Sequence, residues 1–361
     1  TVRDDGSLAY SGVWNGTFAA ATYTNDPAWC LYDLLTSQRY GLGDHILTES
    51  EKTSFNGNAS KLDKFAFFSA SQYSSALIED FLSPVTAGGF KVGKSYKIVS
   101  VGTTDFTLIG ATSNTVGQQF VASGAGSGTG TAQGLEPRFS LNVNLQKRSE
   151  AYDTINSLCS VFRAMPYYSS GSLTVAQDSP QDTSYLFNRS NVDETGFTYQ
   201  GSSQKARATV AIVKYFDMDL RTQVYEEVKD DDAIAKYGVI TKNIDAFGCT
   251  SRGQAFRVGK WLLQSESIET ETVSFTTSID AGVIVRPGQV IEISDPVRAG
   301  FRRGGRIKSG NITQVTVDDT ALTDLPANSF TGTRTLSVVL PDGSVETRDI
   351  SDITGANITV Q

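Results

Sequence analysis

The run Gly88-Gly89-Phe90-Lys91-Val92-Gly93-Lys94-Ser95 matches the phosphate-loop pattern G-x-x-x-x-G-K-[ST] letter for letter. That pattern does chemistry only between an apolar strand and a helix, because the helix N-terminus supplies the N–H groups that cradle phosphate. No apolar strand precedes Gly88, and Ser95 opens a β-like segment, so the match is assigned to coincidence. Glycoside hydrolysis needs two carboxylates about 5 to 10 Å apart, one with a raised pKa. Glu226-Glu227 and Asp230-Asp231-Asp232 supply material. The aspartates stand before a short helical pattern, where acids complement the positive end of the dipole, and a solvated helix start accounts for them. His45, the one histidine, excludes multi-histidine zinc sites and would leave Ser/His/Asp catalysis to a residue in a Gly-rich turn. Cys30, Cys159 and Cys249 form neither a CxxC pair nor a disulfide framework and read as buried free thiols. No catalytic, cofactor-binding or metal-binding residue is assigned, and the chain is read as a non-enzyme without a cofactor.

The strongest local charge feature is basic: Arg298, Arg302, Arg303, Arg306 and Lys308, interleaved with Gly300, Gly304 and Gly305. The whole chain opposes nucleic acid, since 31 Lys plus Arg stand against 39 Asp plus Glu for a net charge of -8. Arginine's planar fork favours protein interfaces, so Arg298, Arg302, Arg303 and Arg306 are candidate subunit contacts with an acidic neighbour. With 361 residues, 39% of them hydrophobic, the chain has room for two or three domains with real cores. No stretch reaches the ~20 apolar residues that span a bilayer, and the amino terminus lacks a leader pattern. The chain reads as soluble and unprocessed, or as a piece of something larger, and the stop at Gln361 without helix, tail or linker fits a truncated end.

The elements that would position these groups follow from periodicity. Asp26 and Pro27 announce a helix whose face is Ala28, Leu31, Tyr32 and Leu35, ending in Arg39-Tyr40-Gly41-Leu42-Gly43-Asp44, where the glycines permit left-handed backbone. A second helical pattern runs from about Lys61 to Leu82, and Pro84 stops it. From 84 to 133 the composition turns Gly- and Thr-rich, predicting a separate β unit with strands at Lys97 to Val101 and Gln119 to Ala122, and a flexible return linker at Gly124 to Gly130. Its aromatics Phe90, Tyr96, Phe106 and Phe120 are the candidates for surface recognition. Beyond it the pattern predicts a strand at Phe139 to Leu145, then a helix capped by Ser149 and closed by Met165-Pro166. Strands follow at Leu173 to Ala176, Phe197 to Gln200 and Ala208 to Phe216, then a short helix stopped by Gly238 and a longer one from Ser251. The last hundred residues alternate like strands, with a turn at Pro341-Asp342-Gly343-Ser344. The expected fold class is α+β and β-dominated, with mixed β domains, packed helices and an inserted small all-β domain. The expected domains are 1–83 with 134–195, the insert 84–133, a mainly β domain 196–300 with one long helix, and a β-rich segment 301–361.

Several phrases, in order, resemble the central tail-tip, host-specificity (lambda protein J-like) family of long-tailed bacteriophages. They are Asp26-Pro27-Ala28-Trp29-Cys30-Leu31-Tyr32-Asp33-Leu34-Leu35, Arg39-Tyr40-Gly41-Leu42-Gly43, Glu136-Pro137-Arg138-Phe139 and Phe247-Gly248-Cys249-Thr250-Ser251-Arg252-Gly253-Gln254-Ala255. Arg286-Pro287-Gly288, Asp295-Pro296-Val297-Arg298-Ala299-Gly300 and Leu336-Ser337-Val338-Val339-Leu340-Pro341-Asp342-Gly343 extend the series, leaving only about 84 to 133 outside it. The resemblance implies a hub like those of contractile-tail baseplates and type VI secretion, trimeric, closing the tail tube in the virion, and made in the host cytoplasm. Its implied partners are two further copies, the distal and tube-closing tail proteins, the tape-measure protein and, through the assembly, a host cell-surface glycan or receptor. Neither sequence-specific nucleic acid nor a membrane span is implied. The alternatives are a carbohydrate- or cell-surface-binding module carried by the 84–133 unit and, ranked below it, a polysaccharide-degrading enzyme.

Overall fold

Asp26 caps the first helix, α1 (Pro27–Thr36), accepting from the Trp29 N–H at 3.0 Å. Ala28, Leu31, Tyr32 and Leu35 are buried on its inner face. The computed structural model describes residues 1–146, 149–169, 171–202, 207–218, 220–299, 305–318 and 334–360. After α1 the chain folds back on the helix end, with the Leu42 N–H on the Leu34 carbonyl and the Gly43 N–H on the Ser37 carbonyl, both at 3.0 Å. Neither Gly41 nor Gly43 is left-handed, which corrects the sequence expectation. A Cβ at Gly41 would overlap the Leu34 carbonyl and one at Gly43 the Thr36 carbonyl, so glycine serves close approach here.

Helices α2 (Gly43–Ile46), α3 (Glu49–Thr53) and α4 (Lys64–Ser74) follow, α3 held by a Thr48/Glu51 capping box. Helix α4 is shorter than the predicted span from Lys61 to Leu82. Asp63 caps its start, and Leu77–Glu79 is drawn into a strand by pairing with residues 135–137. Strands β1 (Leu77–Glu79), β2 (Val85–Thr86), β3 (Ser95–Ser100), β4 (Gln119–Val121) and β5 (Thr131–Pro137) make one antiparallel sheet in the order β1-β5-β3-β4, with β2 also on β5. The part between β1 and β5 encloses its own core, in which Phe90, Tyr96, Phe106 and Phe120 are 4%, 1%, 0% and 5% exposed. These four rings, expected as a recognition surface, are therefore corrected to core: they pack on one another at centroid distances of 5.0 to 6.0 Å. The return run is no linker either. The Gly88 N–H bonds the Ala125 carbonyl at 2.7 Å and the Ala87 N–H the Gly130 carbonyl at 2.9 Å. A Cβ at Gly128 would press on Thr104, and one at Gly130 on the Val101 carbonyl.

Residues 139–145, predicted as a strand, lie in no ladder. Their backbone is held singly instead, Leu141 N–H to the Asn25 carbonyl and Asn142 N–H to the Gly248 carbonyl, at 2.8 and 2.9 Å. Helix α5 (Ala151–Val161) runs into the antiparallel hairpin β6 (Ala164–Ser169) and β7 (Ser172–Gln177). Met165-Pro166, expected to close the helix, lies within β6, and the reversal falls at Arg163 with φ 53°. Leu31, Leu35, Phe67, Phe139, Leu158 and Phe162 meet in the core that joins α1, α4, α5 and β7. The chain next forms β8 (Tyr185–Asn188) and β9 (Thr198–Gly201), then β10 (Val210–Asp217), β11 (Thr222–Lys229), α6 (Asp231–Tyr237), β12 (Thr241–Asp245) and the long α7 (Arg252–Ile268). Strand β10 pairs antiparallel with β11 and parallel with β12. Helix α7 closes on this sheet at Gly259, where a Cβ would stand 2.7 Å from Val228 and 3.0 Å from Val213.

The remaining elements are β13 (Glu271–Ser274), α8 (Ile279–Ile284), β14 (Ile291–Ser294), α9 (Pro296–Ala299), β15 (Ile307–Gly310), β16 (Gln314–Val317), β17 (Thr335–Val339), β18 (Val345–Thr354) and β19 (Asn357–Val360). Strand β13 pairs with β9, β14 runs parallel to β8, and the last five strands form a sheet ordered β15-β16-β19-β18-β17. Two compact units result, Thr1–Asp178 with Ser203–Glu269, and Ser179–Ser202 with Thr270–Gln361. These boundaries differ from the expected domains because β8 and β9 find their partners after residue 270, while α7 packs with the first unit. The architecture is α+β and β-dominated, as the sequence predicts.

Candidate functional site

Two of the phrases that carry the family resemblance, separated by more than a hundred residues, meet in the first unit. Glu136, near the end of β5, accepts from the Ser251 hydroxyl and from the Arg257 guanidinium, both in short contacts. Ser251 caps α7. Arg257 also donates to the Arg138 carbonyl at 3.1 Å, and only 10% of its side chain is exposed. Beside this pair, the buried Gln254 accepts from the Ser140 N–H and hydroxyl, each at 3.0 Å, and returns a bond to the Ser140 carbonyl at 3.2 Å. A Cβ at Gly253 would overlap both Glu136 and the Asp80 carbonyl, so the Ser-Arg-Gly-Gln order brings the helix start against β5. Such a buried, hydrogen-bonded ion pair fixes geometry, and breaking one partner costs about 3 to 5 kcal/mol.

Two further arginines gather beside Arg257. Arg138 lies 4.2 Å over the Tyr73 ring, and Arg163 lies 4.8 Å from the Trp261 ring and 5.3 Å from Phe139. Burial pushes the Arg163 guanidinium down to about 10, Asp178 pulls it back up, and Arg257 and Arg138 add to the lowering. Trp261 donates to Asp178 at 3.0 Å. Arginine faces here serve as flat, stackable plates between rings.

The residues singled out for chemistry are occupied with structure. Lys94 of the phosphate-loop match reaches the Asp80 carboxylate at 2.7 Å, and Ser95 opens β3, so no helix follows. Asp230 caps α6 by accepting from the Ala233 N–H at 3.0 Å, and Glu226 pairs with Arg252 at 2.8 Å. His45 lies in the last turn of the short α2. All three thiols are free, each pushed up to about 12 mainly by burial. Among the described residues no group of three or more His, Cys, Asp or Glu could hold a metal, and no helix is long and apolar enough to cross a membrane. Of the four arginines expected at a subunit contact, Arg298 in the second unit pairs with Glu271 and lies 4.5 Å over the Tyr199 ring, whose hydroxyl donates to Asp295 at 3.0 Å. The Arg306 carbonyl accepts from the Asp318 N–H at 3.0 Å, and the Arg306 N–H donates to the Asp318 carboxylate at 3.3 Å. Arg302 and Arg303 lie outside the described residues. The Glu136 junction was missed as a site. Its only sequence signals were the phrases Glu136-Pro137-Arg138-Phe139 and Ser251-Arg252-Gly253-Gln254, with nothing local to say that they meet.

A family model described as a putative phage tail protein matches residues 150–309. Over 98% of its length the chain is 29% identical to the tip attachment protein J of Escherichia phage SECphi27. It is 26% identical, again over 98%, to the tip attachment protein J of Escherichia phage SECphi4. The chain is similar to phage tip attachment proteins along almost its whole length. The family resemblance read from its phrases is borne out. The chain spans about a quarter of each relative, 24% and 25%. Among solved structures, the 43 kDa tail protein of prophage MuSo2 from Shewanella oneidensis matches at TM-score 0.30 and 13% identity, over 43% of this chain and 46% of that one, a likeness too small to carry an argument.

Proposed function

We propose that this chain is the hub portion of a phage tail-tip attachment protein: three copies surround the tail axis, close the tube, and link it to the host-recognition apparatus during attachment and DNA delivery. The observation that carries the reading is the collinear match, over 98% of the chain, to two tip attachment proteins of which it makes up about a quarter. Two of the phrases that carry the resemblance meet at the Glu136 junction, which holds helix α7 to strand β5. That is what a load-carrying scaffold requires. The role is mechanical, with a virion location at the tail tip and with tube-closing and tape-measure proteins as neighbours. The 84–133 unit is an addition to the hub, and its buried aromatics remove the ring platform on which the carbohydrate-binding alternative rested. Obligate subunit interfaces of about 2,000 Å² or more are expected for such a ring. Cryo-electron microscopy of the tail tip of the particle encoding this chain tests the proposal. Three copies on the axis at the closed end of the tube support it, whereas absence from the tip or an off-axis position overturns it.

A further inference from the structure

Both crossings between the 84–133 unit and the rest of the first unit are clamped, and both clamps end on helix α7. On the outgoing crossing, the Asp80 carboxylate, 5% exposed, accepts from Lys94 at 2.7 Å, from the Gln133 amide at 2.7 Å and from the Leu82 N–H at 3.2 Å. Next to it Phe81 adopts φ 56°, a left-handed conformation unusual for a bulky residue, and its ring stands 5.1 Å from Phe256 of α7. The Asp80 carbonyl abuts Gly253, in the first turn of the same helix, closely enough to exclude a Cβ there. On the returning crossing, β5 is unbroken. Its residues 131–134 pair with β2 and β3 inside the unit, and residues 135–137 pair with β1 outside it. Glu136 on that strand then takes the Arg257 and Ser251 bonds from α7. Gln133 ties the two crossings together, bonding Asp80 and the Leu82 carbonyl at 2.7 and 2.8 Å.

We propose that the 84–133 unit is a rigid lever keyed to helix α7 through Asp80, Phe81 and Glu136, so that a load applied to the unit is delivered to α7 and the β10–β11 sheet beneath it. A domain hung on linkers has crossings whose backbone is unpaired and whose side chains face solvent. Here the returning backbone is laddered throughout; on the outgoing crossing the Asp80 N–H bonds the Gly134 carbonyl, its carboxylate is buried and paired, and Phe81, though 53% exposed, meets Phe256 of the helix. The inference stands on these contacts and holds whether or not the chain closes a tail tube.

The test is a spin-label distance measurement on the full chain, with nitroxides at Leu108→Cys, 80% exposed on the unit, and at the exposed Lys260→Cys on α7. The parent chain without the two added cysteines measures the background from the native thiols, of which Cys159 and Cys249 are buried and Cys30 half-buried. The expected result is one narrow distance distribution, which broadens in Asp80→Ala and in Glu136→Ala but not in Lys97→Ala, whose pair with Glu79 is exposed. Hydrogen exchange supplies a second readout: Asp80→Ala is expected to speed exchange at the Gly253–Arg257 amides at least tenfold. A broad or multiple distribution in the parent chain overturns the proposal by itself, even where a variant fails to fold. Folded variants that keep the narrow distribution and leave α7 exchange unchanged overturn it too.

Discussion

Arg163 shows how a single side chain can bridge distant segments at the expense of its own backbone. Its φ of 53° would cost an ordinary L-residue about 1 kcal/mol or more, and its guanidinium is wedged between Trp261 and Phe139. Two variants separate those contributions. Arg163→Ala loses the stacking and keeps the strained turn, whereas Arg163→Gly loses the stacking and relieves the strain. Urea unfolding should therefore find Arg163→Gly more stable than Arg163→Ala by about 1 kcal/mol, with both below the parent; an alanine variant equal to or better than glycine would contradict it. Asp26 carries the other residue-scale prediction. Burial raises its carboxyl to about 6, against the hydrogen bonds from Trp29 and Ser75 that lower it. The folded chain thus holds this proton more tightly than the unfolded chain does. Its stabilisation is complete below about pH 4 and is lost as the pH climbs through about 6. Asp26→Asn keeps an acceptor for the helix cap and cannot titrate. Between about pH 4 and pH 7 the parent should lose on the order of 2 to 3 kcal/mol relative to this variant. Parallel stability profiles would show that Asp26 titrates normally.

At the scale of elements, what was legible was what is local. Asp26, Ser251 and Gly238 mark helix ends by their own chemistry, and Pro341-Asp342-Gly343-Ser344 turns as expected, the Leu340 N–H meeting the Ser344 carbonyl at 2.8 Å. What failed depended on partners far away. Ala76 and Leu77 fit a helical face, yet the backbone at 77–79 pairs with β5, which no helical spacing reveals. The Glu136 junction spans 115 residues to Ser251 and was equally silent. The aromatics Phe90, Tyr96, Phe106 and Phe120 were misplaced for a different reason: they are the only four aromatic side chains of a unit of some fifty residues, and its core takes all four while Leu108 and Val116 stay exposed. The glycine run was misread because glycine density marks either a slack tether or a surface that must pack backbone on backbone. Here it is the second, which makes a prediction. Gly128→Ala and Gly130→Ala should each destabilise the chain by about 1 to 3 kcal/mol through overpacking, read as a lower urea midpoint. A tether would tolerate both without change.

For the whole molecule, the two units differ in how much core their described residues form. One cluster in the first unit gathers sixteen buried residues, whereas the two clusters described in the second unit hold three each. Stability follows buried apolar area, so the second unit should melt first. Each has its own core and can unfold on its own. Calorimetry of the full chain should therefore show two transitions, assigned by mutation. Leu31→Ala, in the larger core, should lower only the upper transition, and Phe187→Ala, in the smaller one, only the lower; each removes about 2 to 5 kcal/mol of packing. The second unit also exposes Ile279, Val283 and Val297 at 84%, 74% and 77%. If the proposed ring forms, subunit contacts that cover such surface bind the folded state alone and raise its melting temperature with concentration. Assembly should then lift the lower transition toward the upper one. A single transition that both variants shift equally would mean that the chain unfolds as one cooperative body, and the small core of the second unit would have to draw its stability from the first.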